Sequence, residues 1–209
     1  ALYRQTAFVR SGRAMDRFAL VAWTAQVLIR AHQLAPRTRY SRDAITDEFV
    51  RVLVQESRGE DGPCRAIERL SEVGVVVVVE PHLPKTWLDG AALLLEKAIP
   101  VIGLTLRHDR IDNFWFTLMH ELVHVMHHLG AEAAANTPLA GFFDDLDIEQ
   151  TDDPREREAD SVAGEMLVPS AAWEQSAARY MPSPESAALL ADTLGLNPAI
   201  IAGRVRHER

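Results

Sequence analysis

DNFWFTLMHELVHVMHHLG, residues 112–130, is the stretch on which the rest of the chain depends. Its apolar residues fall on most sides of a helical turn, which predicts a buried helix. Asp112 is placed to cap its first turn and Gly130 to end it. Within it lies His120-Glu121-Leu122-Val123-His124. Two His at i and i+4 stand about 40° apart around a helix, so both imidazoles can reach one metal ion. Glu121, one position on, borders the same place. Two His and a carboxylate able to take a proton from water are the residue set of a zinc hydrolase. The competing reading is a helix whose His residues cap its end or satisfy polar groups in the core.

Composition narrows the setting. A chain of 209 residues, 47% of them hydrophobic, fits one domain or one domain with a small appendage. The net charge of −8 and pI near 5.5 argue against a general nucleic-acid-binding surface, though not against a local basic patch. One cysteine, Cys64, rules out an internal disulfide and suits a reducing cytoplasm. No signal peptide is evident, and no run approaches the ~18 apolar residues of a membrane span. The chain begins at Ala1 rather than Met, which is read as a piece of a longer protein.

Working outward from the central helix, three strands are expected before it. Residues 75–80 are a β-branched run, and 91–97 and 101–107 follow, separated by Pro100. Residues 81–90 read as a loop closing on the turn pair Asp89-Gly90. The class is therefore α+β, a small three-stranded sheet packed on the central helix, with an edge strand offered to an extended peptide. Before the sheet, residues 1–35 read as helical, with Phe18, Ala22, Ala25, Leu28 and Ile29 as the apolar stripe. Helices follow over 41–57, on Ile45, Phe49 and Leu53, and over 63–73, opened by Pro63 and closed by Gly74.

A zinc site needs a third protein ligand, and the next helix, 154–168, offers one. Glu156 and Asp160 lie four apart on a face shared with the small residues Ala159 and Ala163. Glu156 can reach a metal while Asp160 accepts a hydrogen bond from a ligand His and fixes its tautomer. Glu158 points about 200° away from Glu156. Asp153-Pro154-Arg155-Glu156 also has the spacing of a capping box, in which Glu156 reaches back to the backbone. Spacing alone leaves both readings of Glu156 open.

HELVHVMHH (120–128) followed by EREADSVAGEMLVP (156–169) resembles the ImmA/IrrE family of zinc metallopeptidases. The second stretch is similar to the family's E-x-x-A-[ND]-x-F-A…L-[LM]-x-P signature, with Val162 where Phe is usual. The resemblance covers 62–175 and implies a zincin-like fold. It assigns His120, His124 and Glu156 as ligands of Zn2+ and Glu121 as catalytic base. It implies limited endopeptidase cuts in a regulatory protein, typically a helix-turn-helix repressor, in phage, stress or defence control. Residues 83–124 resemble a branch in which an N-terminal helix-turn-helix precedes this domain, and none is complete here. Two His and one carboxylate also suit manganese or iron. The alternative is a non-proteolytic regulator or antitoxin-like module that senses a ligand or partner through the same fold.

The expected organisation is a helical segment, 1–61, packed on a catalytic core, 62–175, and then a helical hairpin, 176–209. The hairpin has two helix starts, Ser183-Pro184 and Asn197-Pro198, and ends in Arg204, Arg206, His207 and Arg209. It has the outline of a DNA-binding helix-turn-helix, or of a pair packed on the core. Cys64 is read either as a thiolate that closes the metal's open position or as an ordinary residue. His82, Arg107, His127 and His128 read as surface or helix-end residues, and the acidic stretch 131–152, with Asp144, Asp145, Asp147 and Glu149, as a surface loop or a lid.

Overall fold

The computed structural model describes residues 2–5, 16–34, 36–96, 98–106, 108–129 and 154–208. Arg107, Gly130, the acidic stretch 131–152, Asp153 and Arg209, each given a reading above, lie outside them.

The sheet has four strands in the order β1-β3-β4-β2, one more than the sequence predicts. The added strand is β1, Leu2–Gln5, in a stretch read above as helical. It pairs antiparallel with β3, Leu88–Leu95, over Leu2↔Ala92 to Gln5↔Leu88. β3 in turn pairs antiparallel with β4, Ile99–Leu104, and β4 runs parallel to β2, Val76–Val79. Asp89-Gly90, expected as a turn, lies inside β3. The reversal occurs instead around Glu96, whose φ is 52°, with Ala98 N–H bonded to the Leu95 carbonyl. The outer edge of β3 along Leu88–Ala92 is therefore taken by β1, which with β2 forms the edges of the sheet.

Alternation along the strands sorts their side chains between two layers. Val76, Val78, Ala91, Leu93 and Val101 face α1, Arg17–Leu34. That helix opens on Asp16, whose side chain accepts from Phe18 and Ala19 N–H at 3.0 and 3.1 Å. Its buried face is Leu20, Trp23, Val27 and Ala31, not the stripe read from the sequence: Phe18 is 87% and Ile29 55% exposed. Both faces carry apolar residues, and Trp23 decides between them. Its ring lies over Gly103 of β4, where an added Cβ would come within 2.7 Å of it.

Val75, Val77, Ala92, Ile102 and Leu104 face the other way, toward the main core. That core is closed by α2, Asp47–Gln55, α3, Gly62–Glu72, and the central helix. Thr46 accepts from Phe49 N–H, which starts α2 six residues later than the sequence pattern suggests. The central helix, α4, spans Ile111–Val123 and continues as one wider π turn, His124–His128. Asp112 does not cap it. Its carboxylate instead receives Arg110 Nε at 3.0 Å and Arg206 Nη2 at 2.8 Å.

Helix α5, Pro154–Leu167, lies along α4 with Ala159 and Ala163 fully buried between them. Short helices α6, Ser170–Glu174, and α7, Ala177–Tyr180, lead to α8, Pro184–Leu194, and α9, Pro198–His207. Gly195, at φ 73°, turns α8 into α9 at 119°. Leu190, Ala191, Ile200 and Ile201 share one buried cluster with α4. Two arginines at the end of α9 are engaged within the chain: Arg206, still half-exposed, meets Asp112, and Arg204 Nη1 donates to the Val168 carbonyl at 2.6 Å, while His207 is exposed. No single helix among the described residues is long and apolar enough to cross a membrane.

Candidate metal centre

The i, i+4 spacing on α4 does what helical geometry requires, and α5 supplies the carboxylate. His120 Nε2 and His124 Nε2 lie 3.0 Å apart. Glu156 places Oε2 at 3.1 Å from His120 Nε2 and Oε1 at 3.3 Å from His124 Nε2. Among the described residues this is the one group of His, Cys, Asp or Glu whose donor atoms gather closely enough for a metal ion. Donors ~2.0–2.1 Å from a tetrahedral zinc lie roughly 3.3 Å from one another, so the spacing and the donor set both fit.

Burial sharpens the arrangement. His120 and His124 are 1% and 0% exposed. Burial lowers the pKa of His124 against the pull of Glu156, which favours the neutral imidazole that a metal requires. For Glu156 burial acts upward, but hydrogen bonds with His120 and His124 outweigh it and hold the carboxyl at about 2. The group thus sets two buried imidazoles, the neutral form favoured at His124, against one carboxylate anion.

Asp160, one turn beyond Glu156, puts Oδ1 at 2.9 Å from His120 Nδ1. When Nδ1–H donates to Asp160, the lone pair of Nε2 is left for the centre. A single helix therefore brings one carboxylate to the inner nitrogen of His120 and another to its outer nitrogen.

Glu121 is fully buried, on the side of α4 that meets the sheet. A Cβ added to Gly90 of β3 would come within 2.8 Å of its Oε1 and 2.7 Å of Thr117 Cγ2. The absence of a side chain at Gly90 is what gives the Glu121 carboxylate its place. Cys64, in contrast, lies exposed on α3 and is not one of the gathered donors. His82 is exposed in the loop between β2 and β3.

Two residues read as peripheral stand closer than the sequence suggested. His128 Nδ1 lies 2.8 Å from His124 Nδ1, and Glu158 lies 3.4 Å from His128 Nε2 and 2.7 Å from His127 Nδ1. The signal was present for His128, which repeats the i, i+4 step that separates His120 from His124.

The sequence profile of the IrrE N-terminal-like domain (Peptidase M78) matches residues 71–206, more than half of the chain. The chain belongs to this family. The match begins at the end of α3 and runs into α9, so it includes the hairpin as well as strands β2 to β4 and the α4–α5 pair, but not β1. No curated protein matches the chain. As a member of the IrrE N-terminal-like family the protein has an α+β, zincin-like fold and the character of a metallopeptidase, which implies a metal cofactor and a protein substrate.

Proposed function

We propose that this protein is a zinc-dependent endopeptidase that makes limited cuts in a regulatory protein, a helix-turn-helix repressor. One observation carries the enzymatic part: three buried or half-buried donors, His120, His124 and Glu156, converge on one point, and the buried Glu121 is the next residue after His120 on the same helix. The substrate class rests on the resemblance of 120–128 and 156–169 to the ImmA/IrrE peptidases.

His120, His124 and Glu156 would hold the zinc. When bound, the ion supplies a Lewis acid that polarises a scissile carbonyl and acidifies water. Glu121 takes the proton of the attacking water on its carboxylate and passes it to the leaving amine. Gly90 and Thr117 hold that carboxylate in place, and Asp160 keeps the Nδ1 proton of His120 so that Nε2 faces inward.

The test pairs two variants with metal analysis. The unaltered protein is expected to carry about one zinc per chain and to cleave its substrate. Glu156→Ala should weaken or lose the metal, and Glu121→Gln should keep the metal and lose cleavage. A Glu121→Gln protein that still cuts would refute the role of Glu121. No metal in the unaltered chain after incubation with excess zinc would refute the site.

A further inference from the structure

His120 and His124 are held differently on their outer sides. Asp160 takes the outer nitrogen of His120, whereas the outer nitrogen of His124 meets another imidazole. We propose that His128 and Glu158 form a positioning relay that fixes His124 as an Nε2 donor to the metal, an inference that rests on the metal-centre reading above.

Proton accounting permits one arrangement. To offer Nε2 to a metal, a neutral His124 must carry its proton on Nδ1. That N–H points at His128 Nδ1, 2.8 Å away, which must then be the accepting, unprotonated nitrogen. His128 accordingly carries its own proton on Nε2, and the atom facing Nε2 is the Glu158 carboxylate oxygen at 3.4 Å. The chain Glu158, His128, His124 thus runs acceptor to donor with no clash of protons.

Backbone geometry supports the relay independently. The helix widens at this step: Leu129 N–H bonds to the His124 carbonyl, five residues back, at 2.9 Å. Single π turns of this kind are rare and concentrate at functional sites. The turn brings the rings of His124 and His128 to 4.9 Å between centroids. It is pinned from outside by the Tyr40 hydroxyl, which donates to the Val125 carbonyl at 3.4 Å. The His128 side chain is only 7% exposed, unlike a solvated helix-end residue. Glu158 is half-exposed and is held in turn by His127 Nδ1 at 2.7 Å. The two ligand rings are therefore both braced from α5, His120 directly by Asp160 and His124 through His128 by Glu158.

The experiment measures zinc affinity by chelator competition and the visible spectrum of the cobalt-loaded protein. It compares the unaltered chain with His128→Ala, His128→Asn and Glu158→Gln, with unfolding midpoints recorded for each. Loss of an outer partner of a metal-bound His typically costs roughly 10–100-fold in affinity, and His128→Ala should fall in that range with an altered cobalt spectrum. His128→Asn places Oδ1 near the lost Nδ1 and should restore most of the affinity. Glu158→Gln, at the exposed end, should cost roughly two- to five-fold.

Zinc affinity and cobalt spectrum unchanged in a folded His128→Ala protein would overturn the relay while leaving the metal centre standing. Equal losses in the Ala and Asn variants would do the same, since packing alone would then explain them. Should His128→Ala fail to fold, nitrogen NMR of the zinc-loaded unaltered protein decides: a proton on His128 Nε2 supports the relay and one on His128 Nδ1 overturns it. Failure of the unaltered chain to bind zinc or cobalt would overturn the metal centre itself and the relay with it.

Discussion

Gly90→Ala is the sharpest probe of how the sheet serves the site. The new methyl would lie 2.7 Å from Thr117 Cγ2, 2.8 Å from Glu121 Oε1 and 2.9 Å from Glu121 Cγ. Ordinary contact needs about 3.5 Å, so the Glu121 carboxylate must retreat by roughly 0.7 Å. It has nowhere easy to go, because Glu121 is 0% and Thr117 2% exposed. Overpacking of this kind costs about 1–3 kcal/mol, readable in urea unfolding. Misplacing a reacting group by ~1 Å can cost ~100-fold in rate, so turnover of a cleavable peptide should fall roughly 10–100-fold. Zinc affinity should stay within about threefold of the unaltered chain, since the three atoms nearest the added Cβ belong to Thr117 and Glu121 rather than to His120, His124 or Glu156. Adding Thr117→Ser removes one of the clashing carbons. The double variant should therefore regain part of the stability but little of the rate. Wild-type stability and turnover in Gly90→Ala would refute the claim that β3 sets the position of Glu121; lost zinc binding would show that the strain spreads into α4.

Two further outcomes follow from the same geometry. Free zinc at 100 times its dissociation constant should raise the unfolding free energy by about 2.7 kcal/mol, and thermal scans should find no such rise in Glu156→Ala. Asp112 links α4 to α9, and although burial pushes its pKa up, Arg110 and Arg206 outweigh that and lower it from the ordinary 3.8. A lowered folded pKa means that the carboxylate stabilises the fold fully above its unfolded value, and that this contribution is lost as pH falls through the folded one. Asp112→Asn should thus cost about 1 kcal/mol at pH 7, discounted because both arginines are half-exposed, and the gap in urea midpoints should close toward pH 2. A gap independent of pH would mean that shape rather than charge matters at Asp112.

How far the sequence reveals this fold depends on whether a feature is local. The helix at Gly62–Glu72 was legible because Pro63 and Gly74 punctuate it, and β2 because five consecutive valines, 75–79, leave little else. The face of α1 was not. Its apolar residues fill more than one stripe, and the choice depends on the bare surface of Gly103, eighty residues away, on which Trp23 rests. Asp89-Gly90 failed for a related reason. A turn pair by composition became the first part of a strand because Gly90 is required there for close approach to α4, a demand that only the packed structure imposes. The strand at Leu2–Gln5 is four residues long and owes its place in the sheet to pairing with β3, so no periodicity of its own announces it.

The site divides along the same line. His120, Glu121 and His124 lie within one helical turn, where 3.6 residues per turn fixes their relation before any tertiary contact forms. Glu156 and Asp160 were legible as a pair on one face, but spacing could not choose between a ligand and a cap. The approach of α5 to α4 over Ala159 and Ala163 brings both carboxylates to His120. Glu158 exposes the limit of the argument. Its direction, about 200° from Glu156, was read correctly as away from the centre. That direction nonetheless leads to His127 and His128, because α4 widens into a π turn where the sequence pattern continues as an ordinary helix. A one-residue change in helical pitch is invisible to hydrophobic periodicity. The i, i+4 step from His124 to His128 was legible; the π turn over which the two rings meet was not.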